Sequence, residues 1–161
     1  GADSRHADSW ASHIAYESNT PFVSTGFWHR AFASETFYWI PNKNMTCYNC
    51  VLGRMNSNKP EKQLYYTNQQ DAEKLNFEPG LSVDIEYGTT IGTKVILDIL
   101  NRDEEHYTTR ILDDYGQYIL TCNTNKVNIG GEDAEKFEKP LITLSLNVER
   151  QDDCPDCGKK E

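Results

Sequence analysis

Leu81-Ser82-Val83-Asp84-Ile85-Glu86-Tyr87 alternates apolar and polar residues without a break. Successive side chains of an extended chain point to opposite faces. The stretch therefore predicts a half-buried β-strand, with Leu81, Val83, Ile85 and Tyr87 inside and Ser82, Asp84 and Glu86 outside. Leu141 to Val148 reads the same way, with Ile142, Leu144, Leu146 and Val148 on one face and Thr143, Ser145 and Asn147 on the other. Six further short runs rich in Val, Ile, Leu, Tyr, Phe and Thr lie between and before these two: Phe22–Phe32, Met45–Met55, Lys62–Thr67, Lys94–Leu100, Tyr107–Asp113 and Gln117–Asn123. Clusters of Asn, Gly, Asp and Pro separate them, which is the pattern of an antiparallel all-β domain.

About eight such strands, each with one apolar face, bury that face most simply by closing into a barrel, which also removes exposed edges. A β-sandwich satisfies the same pattern. Sequential hairpins without a long crossover favour the eight-stranded antiparallel up-and-down barrel over residues 22–148. A short helix is expected before it at about 7–18, over Ala7 to Glu17, with Trp10, Ile14 and Ala11 on its inner face. The charged stretch Gly131 to Glu138 reads as an exposed connection, and 149–161 as a polar tail. With 161 residues, a single domain of 1–161 is long enough to bury a core.

Charge narrows the partners. The chain has 16 basic and 25 acidic residues, a net charge of −9. That argues against nucleic acid, whose phosphates require a basic face, and against docking on anionic lipid. No apolar run approaches the ~20 residues of a membrane span.

Catalytic motifs are missing. His6, His13, His29 and His106 form no pair at metal-ligand spacing, and there is no nucleophile elbow, phosphate loop or His-Glu-x-x-His. The acidic clusters Asp103-Glu104-Glu105 and Asp113-Asp114 read as solvated turns, lacking the spaced oxygens and glycine of a calcium loop. The chain is therefore expected not to be an enzyme and to need no metal or other cofactor beyond a bound lipid or sterol.

Five cysteines, Cys47, Cys50, Cys122, Cys154 and Cys157, admit two readings. Two Cys-x-x-Cys pairs can supply the four soft ligands of a zinc site. Against that stand the long intervening segment and the scarcity of knuckle glycines and basic residues. The second reading, disulfides tying the tail of a secreted protein to its body, is preferred. The sequon Asn44-Met45-Thr46 fits it by offering Asn44 for glycosylation. An odd count leaves one thiol free or intermolecular.

Aromatic residues crowd the first third, and Phe37-Tyr38-Trp39-Ile40-Pro41 falls between expected strands, where it suits a lid over an apolar ligand as well as simple packing.

The layout resembles the lipocalins of tick saliva, the Japanin-like immunomodulatory group among them. Gly26-Phe27-Trp28 is similar to the Gly-x-Trp signature of that family, and a Trp-bearing helix at Asp8-Ser9-Trp10 precedes it. Met45-Thr46-Cys47 and Cys122 fit the family's barrel cysteines, and Cys154 and Cys157 fit their C-terminal partners. The resemblance implies disulfides Cys47–Cys157 and Cys122–Cys154, with Cys50 surplus and the chain a monomer or a Cys50-linked dimer. It implies secretion into saliva and a ligand inside the barrel. The wall would be formed by Phe37, Trp39, Tyr48, Leu52, Tyr66, Val83, Ile85, Val95, Leu97, Tyr118, Leu120, Leu144 and Leu146. Because strand parity places Asp84, Glu86 and Asp98 outside, the interior suits an apolar ligand such as cholesterol or a fatty acid, and host immune cells or proteins become the partners. Scavenging of histamine or serotonin, and a protein-interaction module without a ligand, are the alternatives.

Overall fold

The computed structural model describes residues 5–28, 31–41, 43–51, 80–108, 110–124, 126–129, 132–135 and 137–158. Helix α1 spans Arg5–Glu17, followed by strands β1 (Phe22–Phe27) and β2 (Ala33–Trp39). Helix α2 spans Ser82–Leu100, and strands β3 (Tyr118–Cys122), β4 (Lys126–Ile129), β5 (Glu132–Glu135) and β6 (Ile142–Leu146) complete the order. Four strands make one open antiparallel sheet in the order β1-β2-β3-β6, and β4 pairs β5 in a separate hairpin. The fold is α/β, and the eight-stranded barrel expected from the alternation is not formed.

The decisive correction lies at the opening stretch. Leu81–Tyr87 and Lys94–Leu100, both expected as strands, belong to the single helix α2. The residues that α2 buries are Gly88, Gly92, Val95, Asp98 and Ile99, spaced for one helical face. Two of them are glycines, so the inward stripe is carried by backbone and invisible to a hydrophobicity pattern. A Cβ added at Gly88 would lie 2.6 Å from the Ser34 side chain and from Phe27, and one at Gly92 would collide with Thr25 Oγ1. The helix therefore packs with its backbone against β1 and β2. The apolar residues that suggested a strand mostly face out: Leu81, Val83 and Ile85 are exposed, as are Leu97 and Leu100.

Other expected strands fall differently. Phe22–Phe32 divides, β1 ending at Phe27 before β2 begins. Phe37–Trp39, expected in a loop, is the buried end of β2. Residues 48–51 of the Met45–Met55 run form a helical turn, and 107–113 contain no strand among the described residues. The run Lys62–Thr67 lies outside the described residues. Glu132–Glu135, expected as an exposed connection, is β5.

Both faces of the sheet are covered. On one, Phe37, Trp39, Tyr118 and Leu120 pack with Tyr48 and Val51 of the helical turn, edged by Tyr16 of α1 and Phe22. On the other, Tyr38, Ile40 and Ile119 pack against Val95 and Ile99 of α2. Asp98 is buried on this side, and its Oδ2 accepts the N–H groups of Ile111 (2.7 Å) and Leu112 (2.9 Å). Strand parity had set Asp98 outside, and the helical period reverses it.

α1 also inverts its expected face. Trp10 and Ile14 are exposed, while Ser12 is buried. The helix ends at Asn19, which takes a left-handed conformation (φ 54) while Thr20 N–H closes back on Ala15 O at 2.9 Å.

The substitution Gly88→Leu is expected to lower stability by about 1–3 kcal/mol through overpacking against Ser34 and Phe27. A urea-denaturation midpoint unchanged from the parent would contradict the backbone-close packing of α2.

Candidate metal centre

The sheet order dictates where the cysteines meet. β2 and β6 each run antiparallel to β3, on its two sides, so they run parallel to each other. Phe37 and Leu146, near their C-terminal ends, both pair with Tyr118. The segments that leave β2 and β6 therefore emerge at the same end of the sheet, one carrying Cys47 and Cys50 and the other Cys154 and Cys157.

Polar contacts hold these segments side by side. Gln117, just before β3, donates from Nε2 to Tyr38 O (3.0 Å) and Thr46 O (2.7 Å), and its Oε1 accepts Thr46 N–H at 2.9 Å. Thr46 Oγ1 donates to Val148 O at 2.8 Å, and Arg150 donates to Met45 O at 3.2 Å.

Each Cys-x-x-Cys closes in a tight turn. Cys50 N–H donates to Cys47 O at 3.2 Å, and Gly158 N–H donates to Cys154 O at 2.9 Å. Gly158 is required by space: a Cβ there would lie 2.5 Å from the carbonyl oxygens of Asp152 and Cys154.

The four sulfurs converge. Cys47 Sγ is 3.3 Å from Cys154 Sγ, Cys50 Sγ is 3.4 Å from Cys157 Sγ, and Cys47 Sγ is 3.8 Å from Cys50 Sγ. All four lie within 4.8 Å of one another, and all are buried. Tetrahedral zinc, with Zn–S bonds of about 2.3 Å, spaces its sulfurs about 3.8 Å apart. The donor set and its dimensions fit such an ion. Soft thiolates in this number select zinc or iron over the hard cations.

Without a cation, burial opposes ionisation of two of the four thiols. Burial pushes the Cys47 thiol well up and the Cys50 thiol up to about 12. At Cys154 burial pushes the same way, but the backbone N–H groups of Cys157 and Asp156, together with the Cys47 and Cys50 thiols, outweigh it and hold that thiol below its ordinary range. Gln151 N–H also points at Cys50 Sγ, at 3.4 Å. These amides sit where thiolate charge would develop.

The long intervening segment, which argued against zinc in the sequence, includes α2 and strands β3 and β6, and the knuckle glycine is Gly158. All five thiols are free in the structure. Cys50 stands among the four sulfurs. Cys122 lies apart, buried with Phe32 and Ala33 and with its Sγ 3.4 Å from Lys139 O.

The proposed ligand wall is dispersed. Phe37, Trp39, Tyr48, Tyr118 and Leu120 come together, as one packed core. Val95 is buried on the opposite face, Val83, Ile85 and Leu97 are exposed on α2, and Leu144 and Leu146 are partly exposed on β6. Leu52 and Tyr66 lie outside the described residues. Asn44 is exposed, its Oδ1 accepting a hydrogen bond from Arg150 at 3.2 Å. Sequence reading missed three residues at the centre: Asn49 and Asp156, inside the two Cys-x-x-Cys loops, and His13 on α1. Their only signal was the polar character of the loop residues.

A cleft of about 420 Å³ on the other side of the sheet is lined by Tyr38, Lys43, Asp98, Arg102, Arg110 and Asp113, among others. Its charges are largely engaged within the protein. Asp98 caps two amides, and Arg110 donates to the carbonyls of Arg102 and Glu104, both at 2.9 Å.

No protein-family model and no curated protein matches the chain. Solved structures do. The chain is similar to E. coli MccB at 16% identity and a TM-score of 0.52, covering 99% of this chain and 38% of MccB. It is similar to MccB with succinimide at 15% identity and 0.52, covering 99% and 38%. MccB with AMPCPP and MccA gives 15% and 0.50, covering 98% and 38%. The likeness is one of fold. It agrees with the open sheet and helices and overturns the reading as a tick salivary lipocalin, along with the function as a ligand-carrying, immunomodulatory lipocalin drawn from it. The chain spans less than two-fifths of the MccB chain that it matches.

Gly158→Ala is expected to weaken zinc binding by about 10–100-fold, the usual effect of disturbing the surroundings of metal ligands. Competition against a chromophoric chelator measures it, and parental affinity would show that the second turn tolerates a Cβ.

Proposed function

We propose that this chain is a structural, metal-clasped portion of a larger protein built like MccB, its four cysteine thiolates holding one zinc ion. The observation that carries the reading is the convergence of four buried sulfurs from two segments far apart in sequence. A complete set of four thiolates leaves no coordination position for water or substrate, which is the mark of a structural site. The ion would supply cross-linking, fixing the segment after β2 to the segment after β6. Nothing in the fold asks the centre to do chemistry.

Two further observations support membership in a larger protein. The fold match covers nearly all of this chain but 38% of MccB. Several large apolar side chains of α2, among them Val83, Ile96, Leu97 and Leu100, are also exposed. On this reading, any handling of a nucleotide such as the AMPCPP bound to MccB belongs to the remaining length of the protein, and this chain contributes sheet and clasp.

Protein expressed with zinc is expected to carry one zinc per chain by native mass spectrometry, and Cys50→Ser and Cys154→Ser are expected to lose it. Removing the ion is expected to lower Tm by roughly 10 °C, since a chain of this size loses about 2–4 °C per kcal/mol. Retention of zinc by both variants, or iron bound with the colour of a ferric-thiolate centre, would overturn the assignment.

Because a thiol must lose its proton to bind, and Cys50 holds its proton up to about pH 12 without a cation, zinc uptake is expected to release protons. Apparent affinity then falls as pH falls. Titration in weakly buffered indicator solution reads both effects, and pH-independent uptake without proton release would exclude thiolate ligation.

A further inference from the structure

α1 rests on the cysteine loops by its polar side. Ser9 Oγ donates to Asn49 Oδ1 at 2.6 Å, and His13 Nδ1 lies 2.7 Å from Asp156 Oδ1. Asn49 Nδ2 in turn donates to Asp156 Oδ2. Asn49 sits inside Cys47-Tyr48-Asn49-Cys50 and Asp156 inside Cys154-Pro155-Asp156-Cys157. The two residues that receive α1 are thus the intervening residues of the two ligand loops, hydrogen-bonded to each other across the centre.

Beyond these bonds, α1 is held by buried Ser12 and by Tyr16, which packs against the aromatic cluster and the four cysteines. Its large apolar side chains Trp10 and Ile14 are 71% and 60% exposed. The described ring contact to the body is Tyr16 against Trp39, with centroids 5.1 Å apart. The Asp156 side chain is 2% exposed, and a buried carboxylate is stable only while its donors hold their places. Those donors come from a loop and a helix whose spacing depends on the two loops being pinned together.

We infer that the metal centre is a latch for α1: with the ion bound, the Asn49–Asp156 pair presents one fixed polar seat for Ser9 and His13, and with the ion gone the seat comes apart and α1 is released from the sheet. This rests on the metal reading above. Release would hydrate Asp156 and uncover Trp39 where Tyr16 covers it. It would make α1, with its outward Trp10 and Ile14, the metal-sensitive part of the chain, while the β2–β3 pairing stays intact.

Hydrogen exchange read by mass spectrometry on the full chain tests this, comparing zinc-loaded protein, chelator-treated protein and zinc-loaded His13→Ala, with metal content measured on the same samples. Amides of α1 are expected to exchange about tenfold faster or more once zinc is removed, while those of β2 and β3 stay slow. Zinc-loaded His13→Ala is expected to keep one zinc per chain yet exchange about tenfold faster in α1, the effect of losing one hydrogen bond to a charged group. Alanine is the better helix former, so reduced propensity cannot cause that loosening. Unchanged α1 protection after zinc is measured as gone overturns the latch and leaves the clasp standing. Parental α1 protection in zinc-loaded His13→Ala does the same. A protein that never takes up zinc overturns both.

Discussion

Two strands that flank a third in an antiparallel sheet must run parallel to each other, and the cysteine centre depends on that constraint. β2 and β6 lie on either side of β3, so the chain leaves both at one end of the sheet although more than a hundred residues separate them. Hydrogen bonding along the β2–β3 and β3–β6 ladders fixes the two exits to within two strand spacings, roughly 10 Å, of each other. Gln117, at the foot of β3, then ties the first exit to Tyr38 and Thr46, and Thr46 ties it to the second at Val148. By the time the chain reaches its cysteines, little conformational freedom remains for the sulfurs to lose.

The same sheet explains why its two faces differ. One packs against a helix that comes unusually close because Gly88 and Gly92 present no side chain. The helix backbone nests against Thr25 and Ser34, and Val95 and Ile99 fill the deeper part of that interface. The other face carries the aromatic cluster of Phe37, Trp39, Tyr48 and Tyr118, whose bulk sets α1 and the helical turn at 48–51 at a distance. Tyr48 belongs to that cluster and to the first Cys-x-x-Cys at once, so core packing and the metal loop share a residue.

Much of this was legible in part. The Gln117–Asn123 and Leu141–Val148 runs overlap β3 and β6, since alternation with β-branched residues is a direct consequence of a pleated, partly buried strand. The alternation at Leu81–Tyr87 misled because it spans the N-cap and first turns of a helix, before the buried residues begin at Gly88, where period-2 hydrophobicity has no structural meaning. The real inward stripe opens with two glycines, which carry no hydrophobic signal, ahead of Val95, Asp98 and Ile99. The helix accounts for two false strands and for placing Asp98 outside; with the strands expected at Met45–Met55 and Tyr107–Asp113, it makes an open sheet read as a barrel. The two Cys-x-x-Cys pairs were visible and the zinc reading was weighed. What sequence spacing could not show was that the segment between them folds back, because that depends on strand order. His13 and Asp156 were illegible for a similar reason: their contact joins the two ends of the chain, and no local pattern records it.

At the end of the sheet where the chain exits, apolar side chains run out. The buried cluster there consists of four cysteines, edged by Tyr16, and the surrounding contacts are polar: Thr46, Gln117, Arg150, Asn49, Asp156 and His13. Individually such hydrogen bonds contribute about 0.5–1.5 kcal/mol, and a buried carboxylate such as Asp156 is a liability if its partners drift. A hydrophobic core would not repair this, because loops of four residues closed by tight turns have too little side-chain area to bury. Four thiolates on one cation would repair it, since a single ion would fix both turns and give the amides of Gln151, Asp156 and Cys157 a charge to face. On the proposed reading the metal would serve as the core of a region whose closest neighbours are largely polar, and whatever sits on that region, α1 first, would inherit its dependence on the ion.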